Sequence, residues 1–137
     1  MNTRILNTEI QNFIKDNLNS DVTDLLLKGV SFEGIEAREI IEQIVVKEKC
    51  KSKLPTWFNT ENIYYPNKLN IEQTSSEITA QYKSKLISGN SIIDITGGFG
   101  VDSYYLSKHF KSVIHCEINS ELSQIVKCNY KKLNTIN

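Results

Sequence analysis

Along most of this chain the apolar residues recur at steps of three and four, and only two short stretches, near residues 92–95 and 112–118, break into strand-like runs. Thr8 and Gln11 have the form of a capping box, and Leu6, Ile10, Phe13 and Ile14 share one face of the helix that box would open. Ser20 or Asp21 can cap a short second helix through Leu25, Leu26 and Leu27, with Gly29 as its stop. Ser31 opens a third, ending near Lys51, with Ile41, Ile44 and Val45 as its apolar stripe and Glu39, Glu42 and Glu48 on its wet side. At Leu54-Pro55 it must stop, because proline disfavours the helical conformation of the residue before it.

Residues 56–70 carry Trp57, Phe58, Tyr64, Tyr65 and Pro66 with no clear period, which predicts loop. Thr74 and Glu77 form another capping box, and Ile78, Tyr82 and Leu86 give the next helix a buried face that Gly89 ends. Strand, helix, strand and helix follow, the last helix over residues 120–132 with Leu122, Ile125, Val126, Tyr130 and Leu133 along one side. A right-handed crossover makes the two strands parallel neighbours. The predicted fold class is therefore α/β: an N-terminal helical subdomain (1–55), a linker loop (56–70), and the first two β-α units of a Rossmann-like parallel sheet (71–137).

The richest chemistry lies at Ile92-Ile93-Asp94-Ile95-Thr96-Gly97-Gly98-Phe99-Gly100-Val101-Asp102, a strand, a glycine turn and an acidic helix start. Glycines remove Cβ atoms, so the main chain can take positive φ and let a ligand touch bare amides. The dinucleotide fingerprint G-x-G-x-x-G begins with Gly98 and Gly100, but Ser103 stands where its third glycine belongs. Asp102 in the first helical turn, with Asp94 nearby, would repel a pyrophosphate and attract the cationic S-adenosylmethionine. Glu117 ends the second strand about 20 residues beyond the turn, where an acid can accept both hydroxyls of an adenosine ribose. Both a methyl donor and a nicotinamide dinucleotide remain open, with the charges favouring the methyl donor.

At these residues a resemblance enters. The segment Leu69-Asn70-Ile71-Glu72-Gln73-Thr74-Ser75-Ser76-Glu77-Ile78-Thr79-Ala80, then Tyr82-Lys83 and the turn from Asp94 to Asp102, resembles bacterial class I S-adenosylmethionine-dependent methyltransferases of a THUMP-like family related to the RNA cap guanine-N2 methyltransferases. Lys53-Leu54-Pro55-Thr56-Trp57 resembles that family's link between a helical region and the catalytic domain. The resemblance implies that Asp94, Thr96, Gly97, Gly98, Phe99, Gly100 and Asp102 hold the methionine part of the cofactor, that Glu117 holds the ribose, and that Gln73, Ser75 and Ser76 lie over the methionine end. It also implies an RNA acceptor, with transfer of a methyl by in-line displacement. The family's Asp-Pro loop, which orients the acceptor, has no counterpart here, and no catalytic residue is assigned. A complete class I sheet has about six or seven strands, so a truncated front portion is expected, binding the donor weakly alone. The alternatives are a non-catalytic remnant or half of a split enzyme, completed by a second chain carrying the remaining strands, and a fragment of an NAD-dependent oxidoreductase.

Composition narrows the setting. The 137 residues are 39% hydrophobic, enough for a core, and 16 basic residues balance 16 acidic ones, so no global field draws the chain to nucleic acid. Lys47, Lys49, Lys51 and Lys53 beside the aromatic segment could meet single-stranded RNA, though lysines at a helix C-terminus and rings beside a proline more simply serve structure. No apolar run reaches membrane-span length and no secretory core follows Met1, which predicts a cytoplasmic protein with no membrane contact. Cys50, Cys116 and Cys128 form no C-x-x-C pair, so reduced thiols are expected, with Cys116 as apolar packing. His109 and His115 lack the carboxylate neighbours of a metal shell, and no metal is expected.

Overall fold

The computed structural model describes residues 1–133; the last four residues of the predicted C-terminal domain lie outside that range. A 3-10 turn over Thr3–Leu6 leads into α1 (Thr8–Asp16), α2 (Val22–Lys28), α3 (Ala37–Lys53), α4 (Pro55–Asn59), α5 (Lys68–Gln73) and α6 (Glu77–Lys85). Then come β1 (Gly89–Asp94), α7 (Val101–Leu106), β2 (Phe110–His115) and α8 (Ser120–Lys132). The two strands pair in parallel, with Ile92 beside Val113, Ile93 beside Ile114 and Asp94 beside His115. This is a mixed α/β arrangement with the parallel β-α-β-α order expected from the sequence.

Helix boundaries follow side-chain caps. The α1 cap is Asn7, whose side chain accepts from Glu9 N, while Gln11 turns back to donate to the Ile5 carbonyl at 2.8 Å, so the expected Thr8–Gln11 capping box does not form. Asp21 caps α2 and Gly29, at φ 73°, ends it; Leu25 is buried, but Leu26 and Leu27 face solvent. The third helix starts six residues later than Ser31. Gly34 sits in the left-handed region against the Arg4 guanidinium, and the Glu36–Glu39 capping box sets the true start.

Residues 56–70, expected as loop, carry α4 and the beginning of α5. Pro55 ends α3 and at once supplies the first turn of α4, where a missing N–H costs nothing. Trp57, Ile63, Tyr64 and Tyr65 from this stretch are buried, and they belong to one hydrophobic cluster that continues from α1 and α3 to α7 and α8. The backbone at Tyr64 and Tyr65 has no sheet neighbour and is bonded by two side-chain amides instead. Gln43 donates to the Tyr65 carbonyl at 2.6 Å and accepts from its N–H at 2.9 Å, while Asn129 does the same for Tyr64 at 2.8 and 2.9 Å. Four buried backbone groups are thereby satisfied.

Helix α6 differs most from expectation. Ser76 rather than Thr74 caps it, and Thr74 instead closes α5 by donating to the Asn70 carbonyl. Its inward face is Glu77, Ala80 and Ser84, whereas Ile78, Tyr82 and Leu86 are exposed. Buried Glu77 wins because its carboxylate accepts from Thr56 N, Thr56 Oγ1 and the Tyr105 hydroxyl, tying α4, α6 and α7 together. Gly89 begins β1 rather than ending α6. The sheet is covered on one face only. Ile92, Asp94, Val113 and His115 are half-buried on the α7 side, while Ile93 and Ile114 are 57% and 51% exposed on the other.

Candidate functional site

The glycine turn follows β1 and is held on the sheet by ladder-like bonds past the strand ends. Cys116 N donates to the Asp94 carbonyl at 2.8 Å and Gly97 N to the Cys116 carbonyl at 2.9 Å. Gly100 N then closes the turn onto the Gly97 carbonyl at 2.8 Å. Gly98 and Gly100 take φ of 51° and 81°, and Gly100 is the cap of α7. The Phe99 ring packs near Trp57 and Tyr65, with centroids 6.2 and 6.5 Å away, so the turn is anchored to the helical part by its one large side chain.

Beneath the turn opens a cavity of about 530 Å³, within the range of small-molecule sites. Gln73 and Ser75 approach it from the end of α5, Thr96, Gly97, Gly98, Phe99 and Asp102 from the turn and α7, and Glu117 from beyond β2. The acids Asp102 and Glu117 therefore border one space. Three expected residues stand outside its lining. Ser76 caps α6, Gly100 sits behind the turn against Tyr130, and Asp94 braces the strand end by accepting from Thr96 N at 3.2 Å and Ser103 Oγ at 2.6 Å. The wall is completed by Asn70, Thr74, Ile95, Val101, Cys116, Ile118, Asn119 and Leu122, which sequence reasoning missed. Asn119 had a visible signal, as the cap of α8 two residues after Glu117.

The charges are less one-sided than the sequence suggests. The Lys83 ammonium donates to Asp102 Oδ2 at 2.6 Å and to Ser75 Oγ at 2.9 Å, so Asp102 is half neutralised by a residue of α6. The other oxygen, Asp102 Oδ1, is buried with no hydrogen-bond partner among the described residues. An unpaired buried carboxylate oxygen costs free energy until a donor reaches it. Glu117 Oε2 accepts from Gly98 N at 2.9 Å and Oε1 from Asn119 N at 2.8 Å, which leaves each oxygen lone pairs for a further donor.

The glycines differ in what surrounds them. A Cβ on Gly97 would stand 2.3 Å from His115 Nε2, and one on Gly100 2.4 Å from the Tyr130 hydroxyl. At Gly98 the nearest atom to such a Cβ is the Thr96 carbonyl at 3.8 Å, so this backbone is bare toward open space. Tyr130 donates to the Gly100 carbonyl at 2.7 Å, and burial pushes its phenol above the ordinary value, so it stays a protonated donor. Cys116, expected as apolar packing, is exposed at the strand end because its sheet face is uncovered. No group of three or more His, Cys, Asp or Glu placed to hold a metal occurs among the described residues, and no helix there is long and apolar enough to cross a membrane.

No protein-family model matches this chain, and no curated protein is significantly similar to it. Among solved structures it is similar to a "putative methyltransferase" from Porphyromonas gingivalis W83, with 28% identity and a TM-score of 0.79 over 96% of this chain. The chain spans 33% of the length of that protein. The likeness in fold and sequence places these residues in a methyltransferase-type α/β fold.

Proposed function

We propose that this chain forms the donor-binding part of an S-adenosylmethionine-dependent methyltransferase of the THUMP-like type, acting in the cytoplasm on an RNA nucleobase. The observation that carries the reading is the shared cavity under the glycine turn, where Asp102 Oδ1 lacks a donor and Glu117 keeps free lone pairs. The residues present fit such a ligand. Asp102 Oδ1 suits an ammonium, Glu117 suits a pair of ribose hydroxyls, and the bare backbone at Gly98 admits close approach. Once bound, the donor supplies a methyl group on a cationic sulfur, already activated for displacement. The protein's part is to hold it, with Lys83 fixing the Asp102 carboxylate and Tyr130 fixing the turn. Two acids against one lysine keep the site net negative, which disfavours a pyrophosphate.

A second element of the reading rests on the uncovered sheet. Ile93, Ile95, Ile114 and Ile118 are 57, 78, 51 and 101% exposed, and a two-stranded sheet with a bare apolar face is marginal alone. We propose that a second polypeptide carries further parallel strands that pair at the sheet edge and a crossover helix that covers this face, and that it completes the acceptor side.

The test is a nuclear magnetic resonance titration of the chain with S-adenosylmethionine and, separately, with NAD. The methyl donor at millimolar concentration is expected to shift the amides of Gly97, Gly98 and Asn119, and Glu117→Ala is expected to abolish those shifts while leaving the spectrum folded. A response to NAD alone would replace the methyltransferase reading with the oxidoreductase one.

A further inference from the structure

Strand residues two apart project to one face, and at the end of β2 that periodicity brings both His115 and Glu117 to the glycine turn. Each holds one polar group of Gly98. Glu117 Oε2 accepts from Gly98 N at 2.9 Å, and His115 Nε2 lies 3.3 Å from the Gly98 carbonyl oxygen. A carbonyl oxygen only accepts, so this contact is a hydrogen bond when the ring proton sits on Nε2.

Gly98 has little else to hold it. It stands at φ 51°, in the left-handed region, and a Cβ there would find only the Thr96 carbonyl, at 3.8 Å. A glycine without packing keeps its conformational freedom unless hydrogen bonds remove it. The other glycine carbonyls of the turn are satisfied from elsewhere: that of Gly97 accepts from Gly100 N at 2.8 Å, and that of Gly100 from the Tyr130 hydroxyl at 2.7 Å. The Gly98 carbonyl has His115 as its one hydrogen-bond partner among the described residues. The half-buried ring is itself seated. It lies so close to Gly97 that a Cβ there would stand 2.3 Å from Nε2, and the Tyr130 ring meets it edge-on, with centroids 6.2 Å apart.

We infer that His115 is a positioning residue of the donor cavity: by donating from Nε2 to the Gly98 carbonyl, it holds Gly98 in the conformation whose N–H anchors Glu117, the acid proposed to receive the ribose hydroxyls. His115 does not border the cavity and acts only through Gly98 and Glu117. With the Gly98 carbonyl released, Glu117 Oε2 loses its fixed donor, and the carboxylate keeps only Asn119 N on Oε1, at 2.8 Å. This role rests on the donor-site reading for its ligand, whereas the contact itself belongs to the chain without ligand.

The test is magnetic resonance on the full chain, first alone and then titrated with S-adenosylmethionine. In the neutral ring, the nitrogen spectrum of His115 should show the proton on Nε2 and a bare Nδ1. His115→Leu, of similar volume but with no donor, is expected to move the Gly98 amide signal before any ligand is added. It should also weaken donor binding about three- to tenfold, the contribution of one neutral hydrogen bond. His115→Gln, whose amide nitrogen reaches about as far as Nε2, should restore both, which filling of space alone would not do. A neutral ring protonated on Nδ1 overturns the role, as does a loss in His115→Leu that His115→Gln fails to recover. No response of the unsubstituted chain to the donor would remove the donor reading and this role together, whereas unchanged binding by His115→Leu would remove the role alone.

Discussion

A methyl group placed on Gly100 would meet the Tyr130 hydroxyl at 2.4 Å, on a backbone already at φ 81°. The strain of that conformation costs about 1–2 kcal/mol for a residue with a Cβ, and the clash adds displacement of a buried phenol. Gly100→Ala is therefore expected to lose about 3 kcal/mol of stability in urea unfolding. Part of that loss should return in Gly100→Ala combined with Tyr130→Phe, because the nearest clashing atom is gone, and a strictly additive pair would contradict the geometry. Gly98→Ala should behave differently. Its Cβ meets open space, so the expected stability loss is only the backbone strain of about 1–2 kcal/mol, while donor-induced shifts at Asn119 should vanish because the methyl enters the cavity. The three glycines were legible from the sequence, but not this division of labour. His115 and Tyr130, which enforce it, come from β2 and α8, and only the folded chain brings them to the turn.

Helix α6 shows why periodicity misled. Ile78, Tyr82 and Leu86 keep strict four-residue spacing, so by pattern they should be core, yet a hydrophobic stripe says only that something covers it, not that this chain does. What seats the helix is a buried carboxylate, a residue type that hydrophobic patterning counts as surface. Ile78→Ser is accordingly expected to change the unfolding free energy by less than about 0.5 kcal/mol. Glu77→Ala should cost about 3 kcal/mol, because Thr56 N–H and the Tyr105 hydroxyl lose a charged acceptor. Reversed magnitudes would show α6 packed on its apolar side. The same lesson holds at residues 63–66, where no period was visible because the backbone is satisfied by Gln43 and Asn129, from α3 and α8, rather than by a neighbouring strand. By contrast, α8 and the crossover between the strands were readable, since each is fixed by local pattern and chain handedness, whereas β2, expected over 112–118, runs Phe110–His115 and leaves Glu117 two residues past its end.

Taken together, the outward residues of α6 and the sheet define what the rest of an assembly would have to do. Ile93 and Ile114 stand side by side in register on the open sheet face, with Ile95 and Ile118 continuing past the strand ends. Their burial is worth about 25 cal/mol per Å² of apolar surface, and the chain alone obtains less than half of it at Ile93 and Ile114 and little or none at Ile95 and Ile118. This chain spans 33% of the length of the similar protein from Porphyromonas gingivalis. The double substitution Ile93→Lys with Ile114→Lys separates the two ways the face can be satisfied. If it is merely solvated, the substitutions leave the sedimentation coefficient of the chain unchanged, with or without a polypeptide corresponding to the remaining two-thirds of that protein. If a strand-bearing partner docks there, the unsubstituted chain forms a one-to-one complex with that polypeptide, and donor affinity rises on complex formation because the cavity wall at Ile95, Cys116 and Ile118 is covered too. The lysine pair should then abolish the complex while leaving the melting temperature of the isolated chain within about 3 °C, since both isoleucines are more than half exposed in it.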